Sequence, residues 1–329
     1  MACYHPLKAF RAMTLNPSGK NTIIFDERQD FIERLTFSCG RCIGCKLKNS
    51  KTWAIRCMHE ASLHTHNSFL TLTYNQQALE NNTTQTPAGP SLNLHDFQNF
   101  VKKVRKALHK KKRRTPPAST KYLESNLLKN LRYYHCGEYG EQFQRPHFHA
   151  CMFNLDFADK KHYKTVNGEK LYTSQTLDKL WPHGFSTIGE LTLKSAAYVA
   201  RYIMKKQYGR KAEEHYAYLD EYGEKWIRKP EYSTMSKRPA IGKEWFEKYQ
   251  KDCFPKDFVT IDGKKYPIPR TYGQWFEQTY PDEWEDVKEK RIIANETEKK
   301  LANNTSARLK TREQVHTSRV TTLIRSYEK

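Results

Sequence analysis

Apolar and polar residues alternate through Phe69-Leu70-Thr71-Leu72-Thr73-Tyr74. That period predicts a strand with Leu70 and Leu72 facing a core and Thr71 and Thr73 facing the solvent side of a sheet. Two further strands are predicted over 131–138 and over about 146–153, where β-prone and apolar residues dominate. The segment from Tyr139 to Arg145, carrying Gly140, reads as the turn of a hairpin between them. The period changes over Leu94–His109, where Leu94, Phe97, Val101, Val104 and Leu108 recur at helical spacing and lysines fill the other face. Lys46–Glu60 also reads as a helix. Ser174–Trp181 is a short helix stopped by Pro182 and Gly184, followed by a strand over Phe185–Leu191. Lys194–Lys206 is a helix by propensity, as is Lys243–Asp252. Residues 80–91 and 156–173 read as polar loops, Trp275–Ile293 as an isolated amphipathic helix, and 296–329 as a flexible polar tail. The mixture predicts an α+β chain.

The strand over 146–153 carries the candidate chemistry. Side chains of a strand alternate faces, so His147 and His149 point one way and Phe148, Ala150 and Met152 the other. A pair of imidazoles at i and i+2 suits a shared cation. If the hairpin forms about Gly140, Glu138 falls opposite His147 and adds a carboxylate. A slip of one residue turns Glu138 to the other face. The His-x-His pattern alone is a weak signal. Most strand histidines are surface or hydrogen-bonded residues.

A second stretch adds to it. At 100° per residue, Ala196, Val199, Ala200 and Ile203 share one side of the helix over 194–206. Tyr198, Tyr202 and Lys205 fall roughly opposite, with Arg201 at the edge. Two core tyrosines would lie on the apolar stripe, and these do not. Residues at i and i+4 sit about 6 Å apart, which lets two phenols take turns at one phosphate.

The charge supports a polyanion partner. The 329 residues carry a net charge of +21, with pI about 9.5. The charge is clustered: Lys110, Lys111, Lys112, Arg113 and Arg114 follow the first long helix, and no acid lies between Phe97 and Lys121. These side chains, Lys206, and the loop residues Ser236, Lys237 and Arg238 are expected to contact DNA phosphates. No run of about 20 apolar residues predicts a membrane span, and the first residues lack a signal-peptide pattern. A reducing compartment follows, in which the eight cysteines are thiols or metal ligands. Cys39, Cys42 and Cys45 form two overlapping C-x-x-C steps, a preorganised start for a structural zinc site. Cys3, His5 or Cys57 is available as the fourth ligand. Cys3 is expected, because the helix over 46–60 carries Cys57 away. Pro17-Ser18-Gly19-Lys20 half-matches a phosphate-cradling loop, but Thr14 and Asn21 break the motif. No ATPase and no nucleotide cofactor is expected.

Taken together, Phe69–Tyr74, Arg145–Ala150 and Tyr198–Lys206 resemble the three ordered motifs of the HUH endonucleases that initiate rolling-circle replication, in their two-tyrosine branch. The pattern is similar in more detail to the replication-associated proteins of gokushoviruses, single-stranded DNA phages of the Microviridae. The supporting residues are Cys39–Cys45, Cys136–Glu141 and Arg238–Gly242, and the resemblance spans about residues 3 to 250. It implies an RRM-like fold, a central antiparallel sheet backed by helices, with an N-terminal Cys-rich element. It implies His147, His149 and Glu138 as ligands of Mg2+ or Mn2+, with Glu141 as fallback, and Tyr198 and Tyr202 as nucleophiles assisted by Arg201 and Lys205. The implied activity is nicking of origin DNA through a 5′-phosphotyrosine, then rejoining into circular single strands. A host helicase and polymerase are implied partners, in the cytoplasm of the bacterial host. The expected division is 1–60 for the Cys-rich element, 61–255 for the nuclease and 256–329 for a C-terminal extension. Two other readings stay open: a plasmid relaxase or single-strand transposase of the same superfamily, and a non-enzymatic single-strand DNA-binding or packaging protein.

Overall fold

The structure, a computed structural model, describes residues 3–27, 30–81, 85–86, 89–112, 118–140, 144–201, 210–219 and 222–321. The chain divides into two compact units, Met1–Asn49 with Lys288–Ile324, and one built on Ser50–Val287.

In the first unit, strands β1 (Leu7–Leu15), β2 (Asn21–Ile24) and β3 (Phe31–Phe37) form an antiparallel sheet with β1 in the middle. The tail is not all irregular. Ser306–Thr321 is helical, and Leu309 is buried against Tyr4 and Cys42. Polar ties hold this helix as well: His5 to Glu313 at 2.7 Å, and Tyr4 Oη to His316 Nδ1 at 2.7 Å. One buried leucine and two polar pairs leave no periodic stripe for sequence reading to detect.

The second unit is organised on a sheet that has seven strands among the described residues. In chain order they are β4 (Asn67–Thr73), β5 (Arg132–Tyr139), β6 (Pro146–Phe153), β7 (Lys161–Val166), β8 (Glu169–Thr173), β9 (Ser186–Gly189) and β10 (Tyr232–Met235). Across the sheet the order is β7-β8-β9-β4-β6-β5-β10, and each neighbouring pair is antiparallel. β6, with the two histidines, is therefore an interior strand. The hairpin register pairs Glu138 with His147 and Cys136 with His149. The β7–β8 hairpin corrects the polar-insertion reading of 156–173. Its signal was the Asn167-Gly168 turn, where both residues have positive φ (50° and 82°), the conformation of a two-residue hairpin. Strand β7 is exposed along most of its length, so it lacks the apolar alternation that marks a half-buried strand.

Both faces of the sheet are covered. Helix α2 (Leu94–Lys111) sets Phe97, Phe100, Val101, Val104 and Leu108 against Leu70, Leu72, Phe148, Ala150 and Met152. The histidine face is covered by residues 50–61 of α1 (Ile43–Ala61) and by α4 (Leu193–Arg201), which follows α3 (Gln175–Leu180). There Ala54, Cys57, Ala196, Val199 and Ala200 meet Phe69, Tyr134, Cys151 and Phe153. Trp53 stacks on Tyr134 at 4.8 Å. The expectation of a solvent-facing histidine side is thus corrected. The odd positions of β6 beyond His149 are Cys151 and Phe153, which are as apolar as the other face and recruit a helical layer of their own.

A third cluster joins α5 (Lys243–Cys253), α6 (Arg270–Thr279) and the start of α7 (Pro281–Asn295) through Phe246, Phe254, Tyr272, Phe276 and Trp284. The helix expected over 275–293 is therefore two helices, and it is not isolated. Pro281 opens the second, where its missing N–H costs nothing.

Candidate active site

His149 is the middle of a hydrogen-bonded chain across three strands. Its Nε2 donates to Glu138 Oε1 at 2.8 Å, and its Nδ1 accepts from the Thr71 hydroxyl at 3.0 Å. Thr71 is the direct neighbour of His149 on β4. The side chains of His149 and Glu138 are both 2% exposed. A buried carboxylate beside a buried imidazole is stabilised by that pairing and would be costly to leave alone. Phe69 lies parallel to the His149 ring at 5.8 Å and closes one side.

His147 sits at the half-buried rim, one step along the strand. Its Nδ1 donates to the Arg145 carbonyl at 2.6 Å, which fixes the tautomer and makes Nε2 the ligand atom. The rings of His147 and His149 are nearly parallel, 6.4 Å apart. Gly140 makes room for this arrangement. A Cβ there would stand 3.0 Å from His147 Cε1, so a larger residue would push the imidazole from its place. Arg145 is itself tied to the Tyr74 carbonyl at 3.4 Å and to Gln76 at 3.3 Å.

Two imidazoles and a carboxylate on one face form a donor set that suits a divalent cation. For both His149 and Glu138 to coordinate, Nε2 must release the proton it now shares with Glu138, the usual exchange on metal binding.

Helix α4 brings Tyr198 to the same place. A reciprocal cap starts the helix: Thr192 N donates to Ser195 Oγ at 2.8 Å, and Ser195 N to Thr192 Oγ1 at 3.2 Å. One turn on, the edge of the Tyr198 ring meets the face of His149 at 5.1 Å and Phe69 at 6.2 Å. The Arg201 guanidinium carbon lies 5.8 Å from the Tyr198 ring centre. Tyr198 is only 2% exposed, in one cluster with Ala196, Val199 and Ala200. The helical-wheel reading that set it apart from the apolar stripe is corrected. A helical side chain leans back toward the N-terminus, and here that lean lays the ring over Phe69 and His149. Tyr202, Lys205 and Lys206 lie outside the described residues, as do Arg113, Arg114 and Glu141.

The remaining expected DNA contacts divide. Lys112, Ser236, Lys237 and Arg238 line one groove. Lys110 does not line it. Lys111 does not either, since its ammonium is bonded to the Leu123 carbonyl.

The cysteines form a separate cluster in the first unit. The sulfurs of Cys3, Cys39, Cys42 and Cys45 all lie within 4.8 Å of one another, the one such His/Cys/Asp/Glu group among the described residues. Backbone N–H groups point at them: Cys39 N to Cys3 Sγ at 3.2 Å, Cys42 N to Cys39 Sγ at 3.3 Å and Tyr4 N to Cys42 Sγ at 3.4 Å. Burial pushes the Cys45 thiol up to about 12, helped by its bonds to Cys42 and Cys3. Burial also acts to raise Cys39, but N–H donors from Cys42 and Arg41 outweigh it and hold that thiol at about 6. Of the other candidates for the fourth place, His5 is engaged with Glu313, and Cys57 is buried with Cys136 and Cys151.

Sequence reasoning missed Thr71, Phe69 and Gly140. Thr71 and Phe69 were visible in principle: the alternation that sets Leu70 and Leu72 in one core puts Phe69, Thr71 and Thr73 on the histidine face.

A family model for replication-associated proteins of the ORF2 type matches residues 67–207, a span holding β4, β5, β6 and α4. Among curated proteins, replication-associated protein VP4 of Bdellovibrio phage phiMH2K is 34% identical over 286 residues, covering 86% of this chain and 80% of that protein. Replication-associated protein ORF2 of Spiroplasma virus 4 is 32% identical over 307 residues, covering 88% and 86%. Replication-associated protein ORF4 of Chlamydia phage 1 is 26% identical over 239 residues, covering 71% of this chain and 52% of that protein. No solved structure matches the chain significantly.

Proposed function

Because the chain belongs to the family of phage replication-associated proteins, we propose that it is a rolling-circle initiator that nicks the origin strand, holds the 5′ end on tyrosine and later rejoins the strand into a circle. The observation that carries this reading is the meeting of three sequence-distant motifs at His149: Thr71 on one side, Glu138 on the other and the Tyr198 ring edge on its face. A structural histidine needs the first two contacts but not the third.

An ordinary phenol has a pKa near 10, so at pH 7 about one in a thousand is ionised, a handicap of about 4 kcal/mol. Mg2+ or Mn2+ held by His147, His149 and Glu138 would supply Lewis-acid polarisation of the scissile phosphate. The tyrosine oxygen forms a bond to phosphorus as the bond to the 3′ oxygen breaks. The phenol gives up its proton, and the 3′ oxygen takes one up and leaves as a hydroxyl that a polymerase can extend. Rejoining runs the exchange backwards, with a 3′ hydroxyl displacing tyrosine, so no nucleotide is consumed. Tyr202 is the second nucleophile, and Arg201 and Lys205 offset charge on the phosphate. The host helicase and polymerase then act in the host cytoplasm. The test is a labelled origin-strand oligonucleotide incubated with protein and manganese. A covalent protein–DNA adduct is expected. Binding with no adduct would instead make the chain a DNA-binding or packaging protein.

We also assign structural zinc to Cys3, Cys39, Cys42 and Cys45. Elemental analysis should find one zinc per chain, and Cys42→Ser should lose it and unfold at lower temperature. A zinc-free preparation in which Cys42→Ser melts like the wild type rules the site out.

A further inference from the structure

The groove that collects Lys112 and Ser236–Arg238 has a volume of about 1160 Å³. It lies at the end of the sheet away from the histidine pair. Tyr133, on the groove, and Glu138, beside His149, are five residues apart on β5, about 17 Å. Arg105, Lys112, Lys129, Lys237 and Arg238 line it, and the acid among its lining residues is Glu244. Its floor is different in character. Leu108, Leu131, Tyr133 and Met235 make it apolar, and two of these, Leu108 and Leu131, are buried.

Two further features belong to this groove. His64 lines it with its side chain 2% exposed. Its Nε2 faces the Glu60 carboxylate at 3.4 Å, which assigns the proton to Nε2 and a lone pair to Nδ1. Among the described residues Nδ1 has no hydrogen-bond partner, and a buried acceptor without one calls for a ligand or water. The second feature is Leu128, 96% exposed, on the groove's border between Leu127 and Lys129. Its loop is braced: Asn154, fully buried, accepts from Asn126 N at 2.7 Å and donates to the carbonyls of Asn126 and Lys129 at 2.9 and 3.0 Å. A leucine held out in water on a fixed loop is an apolar surface kept for something else.

We infer that this groove is a second DNA site, specific for single strands, which grips the strand several nucleotides away from the histidine pair. The inference rests on the replication-initiator reading. Cations along the rim match phosphates. An apolar floor, an unpaired acceptor and an exposed leucine match bases with uncovered faces and exocyclic amines. Duplex DNA hides its base faces and presents only phosphates to such a concavity. The groove holds on the order of four nucleotides.

The probe is a dT oligonucleotide of about sixteen residues, compared with a duplex of equal length by fluorescence anisotropy across a salt series. The wild type should bind the single strand more tightly. Arg105→Glu with Lys237→Glu should weaken that binding about 10- to 100-fold and reduce the salt slope by about two. Leu128→Ser should weaken it about fivefold with the salt slope unchanged. Lys170→Glu, on the far edge of the sheet, serves as the charge control and should change affinity less than about threefold. Equal binding of duplex, or an equal loss in the Lys170→Glu protein, overturns the inference. Adduct formation on an origin oligonucleotide is measured on the same preparations. Adduct formation with no dT preference removes the groove and leaves the nickase; a groove-dependent dT preference with no adduct does the reverse.

Discussion

His147→Ala should form no covalent adduct with an origin oligonucleotide, while keeping its fold and most of its affinity for DNA. The imidazole stands at the half-buried rim of β6, fixed by its bond to the Arg145 carbonyl. Removing it leaves no buried charge unpaired, so the stability cost should stay within about 1 kcal/mol. The chemical cost is larger. Losing one electrostatic stabiliser of a transition state costs about 10²- to 10³-fold, and losing a ligand of the ion that provides it should cost at least that. Affinity should fall less than about threefold, because phosphate contacts supply most of it. His149→Ala is a harsher variant. It strands Glu138, whose side chain is 2% exposed, and breaking such a pair costs about 3–5 kcal/mol. Its inactivity alone would not separate chemistry from folding. His149→Gln, which keeps a donor for Glu138, is the better companion. Both proteins should be stripped with EDTA and restored with manganese. Adduct formation at the wild-type rate by restored His147→Ala would sink the assignment of the pair.

The strands and the hairpin register were legible because sequence periodicity is strong where one face of a strand is apolar. Leu70 and Leu72, then Phe148, Ala150 and Met152, fix which residues look away from the histidines, and a register with Glu138 opposite His147 follows from a turn at Gly140. What covers the histidine face was not legible. A strand pattern distinguishes its two faces, but it does not say whether the second is open to water or roofed by helices from residues 50–61 and 193–201. Tyr198 was misjudged for that reason. A helical wheel ranks positions against one apolar stripe, whereas α4 lies close enough to the sheet to bury a ring beside that stripe as well. The β7–β8 hairpin and the helix over 306–321 escaped because neither has the buried periodic stripe on which sequence reading depends. The cysteines were easier. C-x-x-C spacing is local, and proximity of Cys3 required only that the chain return once past β3.

Replacing both Tyr198 and Tyr202 by Phe should abolish adduct formation, whereas each single variant should keep some first-step cleavage. The two residues are four apart in sequence, the spacing of one helical turn, so the phenol that remains can serve the same phosphate. The structure adds a condition to this. The Tyr198 ring is buried against His149 and Phe69, so its oxygen can attack only a phosphate drawn in along β6, beside the histidines. Substitution by Phe keeps the ring and its contacts, which makes the loss chemical and not a matter of folding. First-step rates of the two single variants should differ, by up to about 10²-fold, since two oxygens one turn apart cannot both be in line with the same phosphate. Strand transfer is the sharper measurement. Its second cleavage takes place while one tyrosine is already esterified, so both single variants should lose circular product far more than they lose nicking. Mass spectrometry of the trapped adduct locates the nucleotide. Finding it on only one tyrosine in the wild type, with circularisation intact when the other is Phe, would reduce the mechanism to a single nucleophile. Finding it on neither would remove these tyrosines from the chemistry and leave Tyr198 as a core ring that happens to meet His149.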